Sequence, residues 1–212
     1  VSRDRRQRGS QLTFSRRELF DYAVAWLALS VAFTIFVGTP QRLSANPSLA
    51  IDLLGIFVPS VGVAFMLHEL GHKITAVRFG QRAAFRAHYG MLGVAVVGSL
   101  AGFLFAAPGA VVHVGRITDR ENGLIALAGP AVNLILVAAF APLLFLGGLP
   151  AAIGTFGVLV NAFLAAFNLL PVGPLDGRTV FRWHPGVFVV AFAASVGVLA
   201  GALLFVGIPR VA

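Results

Sequence analysis

Cysteine is absent from this chain of 212 residues. Disulfides, cysteine zinc sites and cysteine nucleophiles are therefore excluded, and any metal must be held by His, Asp or Glu. Charge is scarce too: 11% of residues are charged, against about 25% in an ordinary soluble domain. Acidic groups are the rarest, 8 against 16 basic ones. With 58% hydrophobic residues and a mean hydropathy of +0.90, the chain reads as an integral membrane protein whose length suits one compact bundle. The net charge of +8 does not point to nucleic acid as a partner. The Lys and Arg residues flank apolar runs, where they report topology and contact with the anionic lipid of a bilayer. No small-residue cleavage site follows a short apolar core near the N-terminus, so no removable signal peptide is expected. Glycine (24) and proline (11) are plentiful, as suits membrane helices with breaks and close contacts.

Residues 1–19 are polar and basic and are expected to form a cytosolic tail, its first part disordered and 13–18 lying on the membrane surface. Residues 20–212 are expected to form a single membrane-embedded domain. Apolar spans fall near 20–37, 49–77, 119–146, 151–170 and 187–208, with a short loop over 41–48. The second span exceeds the roughly 20 residues a crossing needs, and Pro59 predicts a kink in it. Thr118-Asp119-Arg120-Glu121 has the form of a capping box opening the 119–146 helix. Residues 110–114 read as a short strand. Residues 91–107 decide the number of spans. If they cross, there are six, and the basic residues divide eleven to five between the two faces. If they dip in and return, there are five, and fourteen of sixteen share one face, with Arg42 and Arg210 opposite. The positive-inside tendency favours five, and protein cover permits irregular backbone at that depth. The expected fold class is thus an all-α polytopic membrane protein: a bundle of five to six transmembrane helices with a re-entrant or β-hairpin segment between the second and third long spans.

His68-Glu69-Leu70-Gly71-His72 lies inside the second span. Residues four apart on a helix share a face, so His68 and His72 can grip one metal ion, with Glu69 beside them to take a proton from water. Ionisable groups in a membrane-grade segment are costly and mark function. His68 lies about 14 Å from the Val77 end at about 1.5 Å per residue, so water must reach it through a protein-lined cavity. A catalytic zinc takes three protein ligands. Asp176 is the best third candidate: it follows Pro171 and Pro174 past the end of a span, precedes Gly177, and shares the face of His72 in the five-span arrangement.

Three segments occur in an order that resembles the site-2 protease family of intramembrane zinc metalloproteases: His68-Glu69-Leu70-Gly71-His72, Gly129-Pro130-Ala131-Val132-Asn133, and Asn168-Leu169-Leu170-Pro171-Val172-Gly173-Pro174-Leu175-Asp176-Gly177. H-E-x-x-H alone is common; the combination is specific, and it covers roughly residues 49–177. The resemblance implies Zn2+ bound by His68, His72 and Asp176, with Glu69 as general base and later proton donor. It implies Asn168 near the reacting carbonyl, Gly129 and Pro130 allowing close helix contact, and Asn133 as a polar tie. It implies cleavage of peptide bonds in a transmembrane protein substrate, a prokaryotic plasma membrane, and an N-terminus and active-site opening in the cytosol. The compact length is similar to that of archaeal and bacterial members, with no room expected for a PDZ insert or an appended regulatory domain. Val172-Gly173 replaces part of a proline pair frequent in the family. Lys73 stands where a small residue is common and is expected to reach toward the interface.

In this family backbone beside the site can hold substrate as an added strand. Residues 110–114, with Val112 and His113, are candidates for that role, against the plainer reading of His113 as a satisfied local histidine. His88 and His184 read as interfacial anchors, and Asp52 as wet. The competing functional class is a non-proteolytic membrane metal-binding or transport protein, because intramembrane His and Asp also mark ion pathways. Glu69 argues against it, since a pure binding site needs no base beside its first histidine.

Overall fold

The computed structural model describes residues 11–104 and 108–207. Residues 1–10 of the expected tail, 105–107 at the end of the 91–107 run, the last residue of the expected 187–208 span, and Arg210 lie outside them. Nine helices and two strands follow one another among the described residues: α1 (Arg16–Gly38), α2 (Pro40–Ala45), α3 (Ser48–Phe57), α4 (Val63–Arg78), β1 (Arg82–Ala87), α5 (Tyr89–Leu100), β2 (Gly109–Val114), α6 (Asp119–Phe140), α7 (Gly148–Asn168), α8 (Asp176–Trp183) and α9 (Pro185–Phe205). A π-helical turn, Val58–Gly62, joins α3 to α4, and a 3-10 turn, Ala141–Phe145, extends α6.

Five helices among the described residues are long and apolar enough to cross a membrane: Arg16–Gly38, Ser48–Arg78, Asp119–Phe145, Gly148–Asn168 and Pro185–Phe205. The protein is an all-α polytopic membrane protein. α5 has 12 residues, about 18 Å of helix against a hydrocarbon core of about 30 Å. The strands on either side of it pair antiparallel, Arg82 opposite Val114 through Ala87 opposite Gly109. The chain therefore leaves along β1 and returns beside it along β2, and the candidate spans among the described residues number five.

Local chemistry explains the breaks. The expected kink at Pro59 is a π-helical turn, and Trp26 covers it: its Nε1–H donates to Val58 O at 2.8 Å. A Cβ at Gly62 would lie 1.7 Å from the Trp26 ring, so the helices meet there through glycine. The expected capping box is present, with Thr118 Oγ1 accepting from Glu121 N–H and the Glu121 side chain accepting from Thr118 N–H. The segment expected as a loop over 41–48 instead carries α2, which Pro40 can open because the first helical position needs no N–H. His88 and His184, expected at the interface, cap α5 and α9, each accepting a backbone N–H through Nδ1.

The apolar core that positions the site joins α1, α3, α4, β1, α5 and α7 through Tyr22, Phe57, Phe65, Phe85, Leu92 and Val160. α4 packs along α6, and α6 along α7. The α4–α6 approach is close: a Cβ on Gly71 would lie 3.1 Å from Ala128 O. The tail is anchored where it is described. Ser15 caps α1, and Glu18 is buried rather than spread on a membrane surface. Lys73 does not reach the interface. It is fully buried, with Nζ 2.5 Å from Glu18 Oε1, 2.6 Å from Thr13 O and 3.7 Å from the centre of the Phe14 ring. A carboxylate, a carbonyl and an aromatic face close around the ammonium, so the stem has no reason to extend into water.

Candidate metal centre

Two helix positions and one loop end build the centre. His68 and His72 share one face of α4, as i and i+4 must. The turn after α7 runs through Gly173, at φ 56°, to Asp176, the first residue of α8. His68 Nε2 and His72 Nε2 lie 3.0 Å apart, and each lies 3.4 Å from Asp176 Oδ2. Among the described residues these three form a group able to hold a metal ion. All are largely covered, His68 at 4% and His72 at 8% exposure.

The outer nitrogens are both committed. His72 Nδ1 lies 2.7 Å from Ile125 O, an acceptor only, so Nδ1 carries the proton and Nε2 a lone pair. His68 Nδ1 lies 2.6 Å from Asn133 Oδ1. Two nitrogen lone pairs and a carboxylate then converge on one point, an arrangement that needs a cation. Zinc ligands at about 2.0–2.1 Å in a tetrahedron lie about 3.3 Å from one another, and the observed triangle has edges of 3.0, 3.4 and 3.4 Å. The donor set and spacing fit zinc. Burial by itself would raise the Asp176 carboxyl, but where the imidazoles carry protons on Nε2 as well, positive charge at His72 and hydrogen bonds from both rings outweigh it and bring the group down to about 2. It is an anion at any ordinary pH.

Glycine backs the pair. A Cβ on Gly129 would stand 2.4 Å from His72 Nε2 and 2.6 Å from His68 Nε2. Gly177 is equally confined, 2.1 Å from Leu169 O, which seats the Asp176 turn on the end of α7.

Glu69 is buried beside the histidines, and its Oε2 accepts the backbone N–H of Val111 in β2 at 3.0 Å. A cavity of about 720 Å³ opens over this group, bordered by Glu69, His113, Asn168 and Asp176 among others. Asn168 thus reaches the site wall, with its amide donating to Leu164 O at 3.0 Å. His113 lines the cavity; burial, and after it nearby His72, hold its imidazole below the ordinary value. Val112 also borders the cavity, but its side chain is 55% exposed, and its neighbour Val111 makes the contact with Glu69. Sequence reasoning held Val111 only as part of the 110–114 strand and missed its backbone contact with Glu69; it missed Asn161 altogether, which bonds Asn133 and belongs to no motif. The period-2 alternation of β2 was the available signal for Val111; Asn161 showed itself only as a polar residue in the middle of an apolar helix.

Fold and site together define a multi-pass membrane protein with a buried His-His-Asp metal centre and a carboxylate at its side. Three relatives carry the name "Putative zinc metalloprotease". MJ0611 of Methanocaldococcus jannaschii is 35% identical over 189 residues, 87% of this chain and 93% of its own. Rip2 of Mycolicibacterium smegmatis is 28% identical over 177 residues, 74% of this chain and 68% of its own. YwhC of Bacillus subtilis is 31% identical over 189 residues, 77% and 82%. No family model and no solved structure matches the chain. The chain belongs to this family of zinc metalloproteases, in agreement with the site-2 protease pattern of its motifs, and zinc is its cofactor.

Proposed function

We propose that this protein is a zinc endopeptidase of the site-2 type, cutting peptide bonds within or near transmembrane segments of membrane protein substrates. The observation that carries the reading is the contact of Glu69 Oε2 with Val111 N–H. It sets a proton acceptor between three converging metal donors and the outer edge of a strand.

In the pairing of β1 with β2, Phe85 faces Val111 and Ala83 faces His113. The Val111 N–H points away from β1, so its pair is the kind that exchanges no ladder bonds, and His113, two residues on, turns its backbone the same way. A substrate segment must be extended to expose its bond, and the edge carrying Val111 and His113 offers backbone partners to such a segment. The cavity beside that edge has room for it. His68, His72 and Asp176 hold zinc, which when bound polarises a carbonyl and acidifies water. Glu69, with Oε2 held by Val111, takes the proton of the attacking water on Oε1 and passes it to the nitrogen of the departing amine. Asn168 keeps one amide N–H on Leu164 O and has a second to offer to the charge that builds on the scissile oxygen. The bias of the basic residues to one face of the five-span arrangement supports an opening toward the cytosol and an N-terminus on the same side, and the organisms of the relatives support a prokaryotic plasma membrane.

The test is Glu69→Gln in the full-length protein, assayed with a transmembrane reporter and by metal analysis. Zinc content is expected to stay and cleavage to disappear. Persistent cleavage overturns the role of Glu69. A wild type that moves zinc across vesicle membranes and never cuts overturns the protease reading in favour of transport.

A further inference from the structure

Beneath His68 lies a chain of buried amides that leads away from the cavity. His68 Nδ1 is 2.6 Å from Asn133 Oδ1 on α6. Asn133 Nδ2 donates to Asn161 Oδ1 on α7 at 2.8 Å, and also faces Ala64 O on α4 at 3.3 Å. Asn161 Nδ2 donates to Gly157 O at 2.8 Å. Asn133 and Asn161 both have 0% exposure.

The direction of every bond follows from the far end. Gly157 O can only accept, so the Asn161 atom facing it is the amide nitrogen, and Asn161 Oδ1 must face Asn133. That oxygen can only accept as well, so Asn133 presents its nitrogen there and its oxygen to His68. Ala64 O fixes Asn133 the same way from a second side. An oxygen facing His68 Nδ1 requires the proton on Nδ1, which leaves Nε2 bare. His72 needs no such chain, because its Nδ1 meets a backbone carbonyl directly.

We propose that Asn161 is a positioning residue for the metal centre: acting through Asn133, it holds His68 in the Nδ1–H tautomer whose Nε2 can bind metal. The inference rests on the reading of His68 as a zinc ligand. Without Asn161, only the longer contact with Ala64 O, at 3.3 Å, still orients the Asn133 amide, and its nitrogen can turn toward His68. The proton then moves to Nε2, and binding zinc requires both groups to reverse. Partners of this outer kind are worth about 10- to 100-fold in metal affinity.

The experiment uses the full-length protein in lipid nanodiscs, stripped of metal and titrated with Zn2+. Asn161→Leu is expected to weaken zinc binding by about 10- to 100-fold. Asn133→Asp offers an oxygen to His68 whichever way it turns, so the double variant Asn133→Asp/Asn161→Leu is expected to bind zinc within about threefold of Asn133→Asp alone, a coupling that a merely structural Asn161 would not give. Zinc affinity in Asn161→Leu within twofold of wild type, or an equal loss in the double variant, overturns the proposal. Nitrogen-15 NMR of labelled histidines reads the tautomer in the wild type and stands even where a variant fails to fold. His68, assigned by its loss in His68→Ala, is expected as Nδ1–H in the zinc-free protein above the imidazole titration range, and Nε2–H there overturns the proposal. A wild type whose zinc binding is untouched by His68→Ala would instead sink the underlying assignment of His68 as a ligand, a result distinct from either.

Discussion

Phe85 and Val111 face each other across the hairpin and send their backbone N–H groups in opposite directions, each to a buried carboxylate: Phe85 to Glu18 Oε1 at 3.0 Å and Val111 to Glu69 Oε2 at 3.0 Å. The strand pair is thus suspended between the first turn of α1 and the candidate general base. Asp21, one turn further along α1, adds Tyr89 and, at 3.6 Å, Arg86.

Removing the Val111 donor tests the inner tether. Its N–H takes no part in the ladder between β1 and β2, so Val111→Pro should leave the hairpin paired. We expect zinc content at the wild-type level and kcat lowered about tenfold to a hundredfold, within the ~10²–10⁴ contributed by general acid–base catalysis. Metal analysis alongside reporter cleavage separates the two effects.

The outer tether includes a buried ion pair. Lys73→Met leaves Glu18 without its counter-ion, and stranding a buried charge costs about 3–5 kcal/mol. The paired change Glu18→Gln/Lys73→Met removes both charges and keeps an acceptor for Phe85 N–H. Thermal unfolding should show a marked fall in Tm for the single variant and recovery of most of it in the double one.

Gly129→Ala should expel the metal. The added carbon would sit 2.4 Å from His72 Nε2 and 2.6 Å from His68 Nε2, so the imidazoles have to swing out of line. Gly55→Ala serves as the control, since nothing lies within 4 Å of its Cβ position. Bound zinc per chain is expected near zero for the first and unchanged for the second.

Acid should release zinc through the imidazoles rather than the carboxylate. Asp176 has its carboxyl lowered to about 2, so it stays charged as pH falls through the range in which imidazole gains a proton. Metal content after dialysis at stepped pH should therefore drop well above pH 4. A midpoint in the ordinary carboxylate range, about 4, would contradict this.

Much of the site was legible from residue order because its signals are local. The i, i+4 histidines, the Thr118 capping box and the strand near 110–114 each depend on neighbours within one or two turns. The five candidate spans also followed from counting, because a membrane penalises charge by position along the chain. The burial of Lys73, the turn of β2 that aims Val111 at Glu69, and the Asn161–Asn133–His68 series were decided elsewhere. Each depends on which faces of α1, α4, α6 and α7 meet, and on distances of a few tenths of an ångström between groups tens of residues apart. Sequence by itself marked out His68, His72 and Asp176 as candidate ligands and the membrane-grade helices beside them. Only tertiary packing decided which nitrogen of His68 is bare, because a hydrogen bond's direction is set by the acceptor at its far end.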